Sequence, residues 1–220
     1  VRISYNSCRN RHCPKCQGKE REKWIQAREE ELLPVPYFHV VFTLPDTLNQ
    51  LAMHKPKEVY DSLFEASWTT IKTFGYDPKH LGAQTGMISI LHTWGQQLTL
   101  HPHLHCIVPG GGITINDKWK YAKTKGKFLF PVTAMRKVFR AKYVQILKSK
   151  ISNIDKNLID SLFKKEWVVY AKRPFQNTNS VIEYLGRYTH KIAISNHRIK
   201  NINESSVSFS YKDYRSEGTK

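Results

Sequence analysis

The sequence predicts an α+β fold, an antiparallel sheet with helices packed against it. Two features carry that expectation. Short runs of β-branched and aromatic residues alternate with segments whose apolar residues recur at helical spacing. Two of the runs are also separated by a turn short enough to make them neighbours in a hairpin.

In chain order, residues 1–16 form a cysteine-rich, basic piece. Gln17 to Leu33 has Trp24, Ile25, Ala27, Arg28 and Leu32 at helical period, and Pro34 and Pro36 end it. Tyr37 to Leu44 is apolar and β-branched, a buried strand stopped by Pro45-Asp46. Pro56 to Phe74 places Val59, Leu63, Ala66 and Ile71 near one stripe, a helix that packs on the sheet. Thr85 to Trp94 is the next strand, and a turn from Gly95 to Leu100 leads into a histidine-rich strand. Ile113-Thr114-Ile115 and Trp119 to Tyr121 flank a turn at Asn116-Asp117-Lys118. Pro131 to Lys150 and Asp155 to Lys164 read as helices, Trp167 to Ala171 as a strand and Val181 to Thr189 as a helix. Ile192 to Ser195, Arg198 to Ile202 and Val207 to Tyr211 read as short strands. The divisions expected are 1–36, a small segment with a linker helix, and 37–220, the main domain.

Composition narrows the partners. With 35 Lys+Arg against 18 Asp+Glu, the formal charge is +17, and such an excess favours polyanions through counterion release. Nucleic acid is the leading partner, and five Trp, eleven Tyr and ten Phe allow base stacking beside phosphate contacts. No apolar run is long enough to span a bilayer and no signal-peptide pattern opens the chain, so a cytoplasmic protein is expected. No phosphate-binding P-loop pattern is present, so no helicase activity is expected.

Three of the four cysteines fall in Cys8-x4-Cys13-x2-Cys16. In a cytoplasmic chain this spacing reads as structural Zn²⁺, with His12 available as a fourth ligand. The start at Val1 suggests that further ligands lie upstream. Cys106 stands apart and reads as a buried filler.

The richest chemistry lies in His101-Pro102-His103-Leu104-His105-Cys106. On a strand, His101, His103 and His105 share one face, while Leu104 and Cys106 occupy the other. Neighbouring imidazoles on a rigid strand make a metal site, although a solvent-facing strand would also tolerate them. Tyr184 and Tyr188 are four residues apart, hence on one face of a helix, with Arg187, His190 and Lys191 beside them. Such a pair can be mere packing. Near a metal and cations, a tyrosine can also attack phosphorus.

Several motifs together resemble the IS91 family of transposases: Ser4 to Gln17, His92-Thr93-Trp94-Gly95-Gln96, His101 to Gly112 and Tyr184 to Asn196. The resemblance implies the ferredoxin-like sheet of HUH nucleases preceded by a zinc-binding segment, in a chain cut short at its C-terminus. It implies single-stranded DNA as substrate and Mg²⁺ or Mn²⁺ held by His103 and His105. Leu104 is then the hydrophobic residue between them. A third, polar ligand is expected, for which Gln96 is chosen and Gln97 is the fallback. Tyr184 and Tyr188 match the paired nucleophiles, Tyr184 being favoured if only one acts. The implied reaction is transesterification through a 5′-phosphotyrosine, as in rolling-circle transposition. Two other readings stay open: a non-catalytic, zinc-containing nucleic-acid-binding protein, and a hydrolytic metallonuclease.

Overall fold

The computed structural model describes residues 14–123, 129–172 and 196–213, with Cys8, Phe175, Ser180, Val181, Tyr184, Gly186, Ile194, Gly218 and Thr219. The chain divides into two compact units. One comprises Leu33–Thr93 and Leu100–Val181, the other Val1–Leu32, Trp94–Thr99 and Ile182–Lys220. No helix among the described residues is long and apolar enough to cross a membrane.

The larger unit is the sheet. Strand β1 (Tyr37–Thr43) is followed by a 3-10 turn at Asp46–Leu48 and two helices, α2 (Asn49–His54) and α3 (Pro56–Tyr76). Strands β2 (Ile88–Trp94) and β3 (Leu100–Pro109) come next, and a small ribbon of β4 (Gly111–Ile113) and β5 (Trp119–Tyr121) follows. Helices α4 (Val132–Lys150) and α5 (Lys156–Lys164) then lead to β6 (Val168–Ala171). The main sheet has the order β2-β3-β1-β6, with β1 antiparallel to both neighbours. Leaving out the short insertions, the succession β1-α3-β2-β3-α4-β6 is the split βαβ pattern of a ferredoxin-like fold. The expected α+β class therefore holds, and β3 lies in the sheet interior.

Alternation sets the two faces of this sheet. Phe38, Val40 and Phe42 on β1, and Leu104, Cys106 and Val108 on β3, are fully buried and join one core with Val59, Leu63, Phe139 and Leu147 of the helices. Phe139 bridges layers, its ring 4.8 Å from Phe42 and 5.2 Å from Trp167. Two aromatic polar groups inside the core bond to backbone carbonyls: Trp167 Nε1 donates to Leu162 O at 2.9 Å, and Tyr143 Oη donates to Val59 O at 3.3 Å. The opposite face carries His39, His103 and His105, which is what the alternation predicts.

The Gly110-Gly111-Gly112 run serves the protein's own backbone. Gly112 lies where the 111–113 strand bridges Gln84, whose N–H and C=O both bond Ile113, at 2.9 and 2.8 Å. A Cβ on Gly112 would stand 2.4 Å from Gln84 O, and one on Gly111 the same distance from Lys120 O. Both obstacles are backbone atoms and cannot swing aside. Gly112→Ala is expected to destabilise the fold by about 3 kcal/mol through overpacking, measurable as a lowered midpoint in urea.

The smaller unit is described in pieces. Helix α1 (Pro14–Glu31) matches the expected linker helix, extended by a turn at its start. Most of its side chains are exposed, and Arg28 lies over the Trp24 ring at 5.5 Å. A Cβ added to Gly186 would meet Ile25 Cδ1 at 2.8 Å, so the Gly186 backbone runs close beside α1. Strands β7 (Ile199–Ile202) and β8 (Val207–Phe209) form a hairpin whose tip is tied by Asn203 Oδ1, which accepts from the Ser205 and Ser206 N–H groups. Arg198 braces it, donating to Ser210 O and to Gln96 O while stacking over Phe209. A short pair, β9 (Lys212–Asp213) and β10 (Gly218–Thr219), ends the described chain. The strand expected at Ile192 to Ser195 lies largely outside the described residues.

Candidate metal centre

Three imidazoles converge on the face of the sheet opposite α3 and α4. His92 on β2 and His103 and His105 on β3 each offer a nitrogen, and the three nitrogens lie within 4.8 Å of one another. Their rings stand edge to face, with centroids 4.7 Å apart for His92–His105, 4.9 Å for His103–His105 and 5.4 Å for His92–His103. Steeply inclined rings let three lone pairs aim at one point, where stacked rings would not.

Hydrogen bonds bear on which nitrogens of His103 and His105 face that point. His103 Nδ1 is 2.6 Å from the carbonyl oxygen of His101, which can only accept. Nδ1 therefore carries the proton, and Nε2 holds the lone pair. His105 Nδ1 is 3.0 Å from Nε2 of His39 on β1, the two rings lying 13° from parallel. With His105 presenting Nε2 to an ion, its Nδ1–H donates and His39 Nε2 accepts. That role needs a neutral His39. Burial, reinforced by the positive charge of Lys172, lowers the His39 pKa to about 4. A ligating histidine whose second nitrogen is held by a fixed acceptor is the usual support of a protein metal site.

The donor set therefore fits a divalent transition ion: three nitrogens, one of them on the buried His92, with the His103 tautomer fixed by a carbonyl and the His105 bond compatible with ligation. Imidazole nitrogens suit Mn²⁺ better than Mg²⁺, which prefers oxygen ligands and gives up water reluctantly. His39→Phe, which keeps the ring and removes the acceptor, is expected to weaken Mn²⁺ binding by roughly 10- to 100-fold. Calorimetric titration measures this directly, with thermal melting as the check on folding.

The remaining expected site residues are distributed as follows. His101 is exposed on the same strand and is not one of the three convergent histidines. Gln96 is exposed in the Trp94–Thr99 segment of the smaller unit, where its backbone carbonyl accepts from Arg198. Tyr184 is helical and half-buried, also in the smaller unit. Tyr188, Arg187, His190 and Lys191 lie outside the described residues. Cys8 is exposed and Cys16 lies in the first turn of α1, while Cys13 is outside the described residues. Cys106 is fully buried beside Ser89, and burial pushes its thiol up to about 12, which makes it an inert core residue.

Sequence reasoning missed His92 and His39 as members of the cluster. His92 was visible only as part of a motif. Its place beside His105 depends on how β2 is set against β3. For His39 the signal is register: Val41 lies opposite His105, so His39, two residues earlier, shares that face one step along.

The chain is similar to known proteins. The family described as "Putative transposase" matches residues 86–220, and the "Transposase zinc-binding domain" matches residues 1–44. The chain is 43% identical over 230 residues to "Putative transposase y4qJ" of Sinorhizobium fredii, covering 97% of this chain and 58% of that protein. It is 28% identical to the "Transposase for insertion sequence element IS801" of Pseudomonas savastanoi pv. phaseolicola, covering 99% of this chain and 54% of the relative. The chain thus spans a little more than half the length of these relatives. Among solved structures, the "Conjugative Relaxase TrwC in complex with mutant OriT Dna" is similar at a TM-score of 0.36 and 15% identity, over 56% of this chain and 53% of that one. A second TrwC structure, with a 27-mer DNA, gives 0.35 and 15% over 57% and 54%. With the first family covering well over half of its length and the zinc-binding domain in place at its start, the chain belongs to the IS91 family of transposases.

Proposed function

We propose that this chain cleaves and rejoins single-stranded DNA at transposon ends and targets by transesterification, using a tyrosine nucleophile and a divalent ion. The observation that carries the reading is the convergence of His92, His103 and His105 on the sheet of a transposase-family chain. The ion, Mn²⁺ or Mg²⁺, would draw negative charge from a non-bridging oxygen of the scissile phosphate. His103 and His105 would hold it, with His92 as the nitrogen ligand and Gln96 as the expected amide-oxygen ligand. Tyr184 or Tyr188 attacks phosphorus through its phenolic oxygen as its proton departs to solvent. The Tyr Oη–P bond forms, the P–O3′ bond breaks, and the leaving O3′ takes up a proton. The phosphotyrosine conserves the bond, so a later 3′ hydroxyl can reverse the step without a nucleotide cofactor. Arg187, His190 and Lys191 supply cations for the DNA backbone. Cys8, Cys13 and Cys16 would hold Zn²⁺ as a structural ion, with His12 available as the fourth ligand. Such a substrate places the protein in the bacterial cytoplasm, at the nucleoid.

The test is a radiolabelled single-stranded oligonucleotide carrying an element end, incubated with and without Mn²⁺. A covalent protein–DNA adduct that requires the ion and maps by mass spectrometry to Tyr184 or Tyr188 is the expected result. Free 5′ phosphates without an adduct would convert the reading to a hydrolytic nuclease. Binding without either product would leave only a DNA-binding protein.

A further inference from the structure

The histidine face of the sheet continues past the metal centre onto the edge strand. Val41 pairs with His105 on one side and with Tyr170 on the other, so His105, Val41 and Tyr170 form one row across three strands with their side chains on one face. Two strand spacings separate the ends of the row, roughly 10 Å. In the neighbouring row, His103, Thr43 and Val168 are aligned in the same way. Tyr170 is 51% exposed and Val168 53%, although Val169 between them is fully buried in the core. A large aromatic ring left open to solvent on a short edge strand adds nothing to the core. Two residues on, and so on the same face, comes Lys172, whose backbone N–H donates to His39 O. Its side chain is exposed, and its positive charge acts on the His39 ring. An exposed π face and an ammonium thus stand side by side, one short step from the imidazoles.

We propose that Tyr170 and Lys172 form a subsite for one nucleotide of a single-stranded DNA, the tyrosine ring stacking on its base and the lysine pairing with its phosphate. The assignment rests on the reading that the adjacent imidazoles engage a DNA phosphate, and it adds how the neighbouring nucleotide is gripped. Stacking on a flat ring needs a base whose face is free, which single strands offer and duplexes do not. A chain with a net charge of +17 has the complementary sign for a polyanion.

A fluorescently labelled (dT)12 carrying one 5-iodouracil is the probe. Irradiation is expected to cross-link it to the peptide containing Tyr170. Tyr170→Leu, which keeps the site apolar without a ring, is expected to weaken (dT)12 binding about tenfold or more by anisotropy, and Tyr170→Trp to restore it. Lys172→Gln is expected to flatten the dependence of log affinity on log salt by about 0.7. Unchanged (dT)12 affinity in Tyr170→Leu would overturn the assignment, as would an equal loss on a duplex of the same length. A Mn²⁺ titration of the same proteins keeps the two readings apart. Failure of both parent and variant to bind Mn²⁺ counts against the metal centre alone, while a (dT)12 affinity loss in those samples upholds the subsite.

Discussion

His105→Ala protein is expected to lose Mn²⁺-dependent adduct formation by roughly a thousandfold, the equivalent of about 4 kcal/mol of transition-state stabilisation. His105 ties the cluster to β1. It is one of three histidines whose nitrogens lie within 4.8 Å of one another, and its Nδ1 is 3.0 Å from His39 Nε2. Removing it takes away a ligand and leaves His39 without the proton donor that its neutral ring accepts from. The fold should survive, because the His105 side chain projects from the face opposite α3 and α4 while Leu104 and Cys106 on either side remain buried. Calorimetry should show Mn²⁺ binding lost in parallel with the adduct, and the urea midpoint should move little. Full activity in His105→Ala would end the metal-centre proposal.

Complete disappearance of the adduct is expected for Tyr184→Phe/Tyr188→Phe. The change removes two oxygens and leaves both rings, so packing is kept and only the nucleophile is lost. Affinity for single-stranded DNA should remain within about threefold of the parent, since backbone contacts made by cations are untouched. The single variants divide the roles. If both tyrosines act, each single variant still forms an adduct on the remaining residue. If one suffices, Tyr184→Phe alone removes it. A persistent adduct in the double variant would place the nucleophile elsewhere.

Much of this was legible from local pattern. Alternation around Leu104 and Cys106 put His103 and His105 together on an open face, and helical spacing located α3 and α4 to within about two residues. What was not legible depended on long-range register. His39 lies 66 residues from His105 in sequence, and only the antiparallel offset of β1 against β3 brings them within hydrogen-bonding distance. His92 was masked because the neighbouring Gln96 better fitted an expectation of an oxygen ligand. The 3-10 turn and α2 between Asp46 and His54 were missed because so short a stretch holds too few apolar residues to show a period. The role of the glycine run was not legible either. Its tight backbone contacts with Gln84 and Lys120 involve segments whose approach no local pattern announces.

The division of the chain into two units has a practical consequence for dissecting it. The backbone passes from one unit to the other after Leu32, after Thr93, after Thr99 and after Val181. No single truncation point therefore yields either unit intact. A recombinant piece spanning 33–181 would still carry the Trp94–Thr99 hexapeptide without the residues it clusters with, including Arg198, which donates to its Gln96 carbonyl. Shortened versions designed for crystallisation should replace that hexapeptide with a minimal turn, or keep both termini.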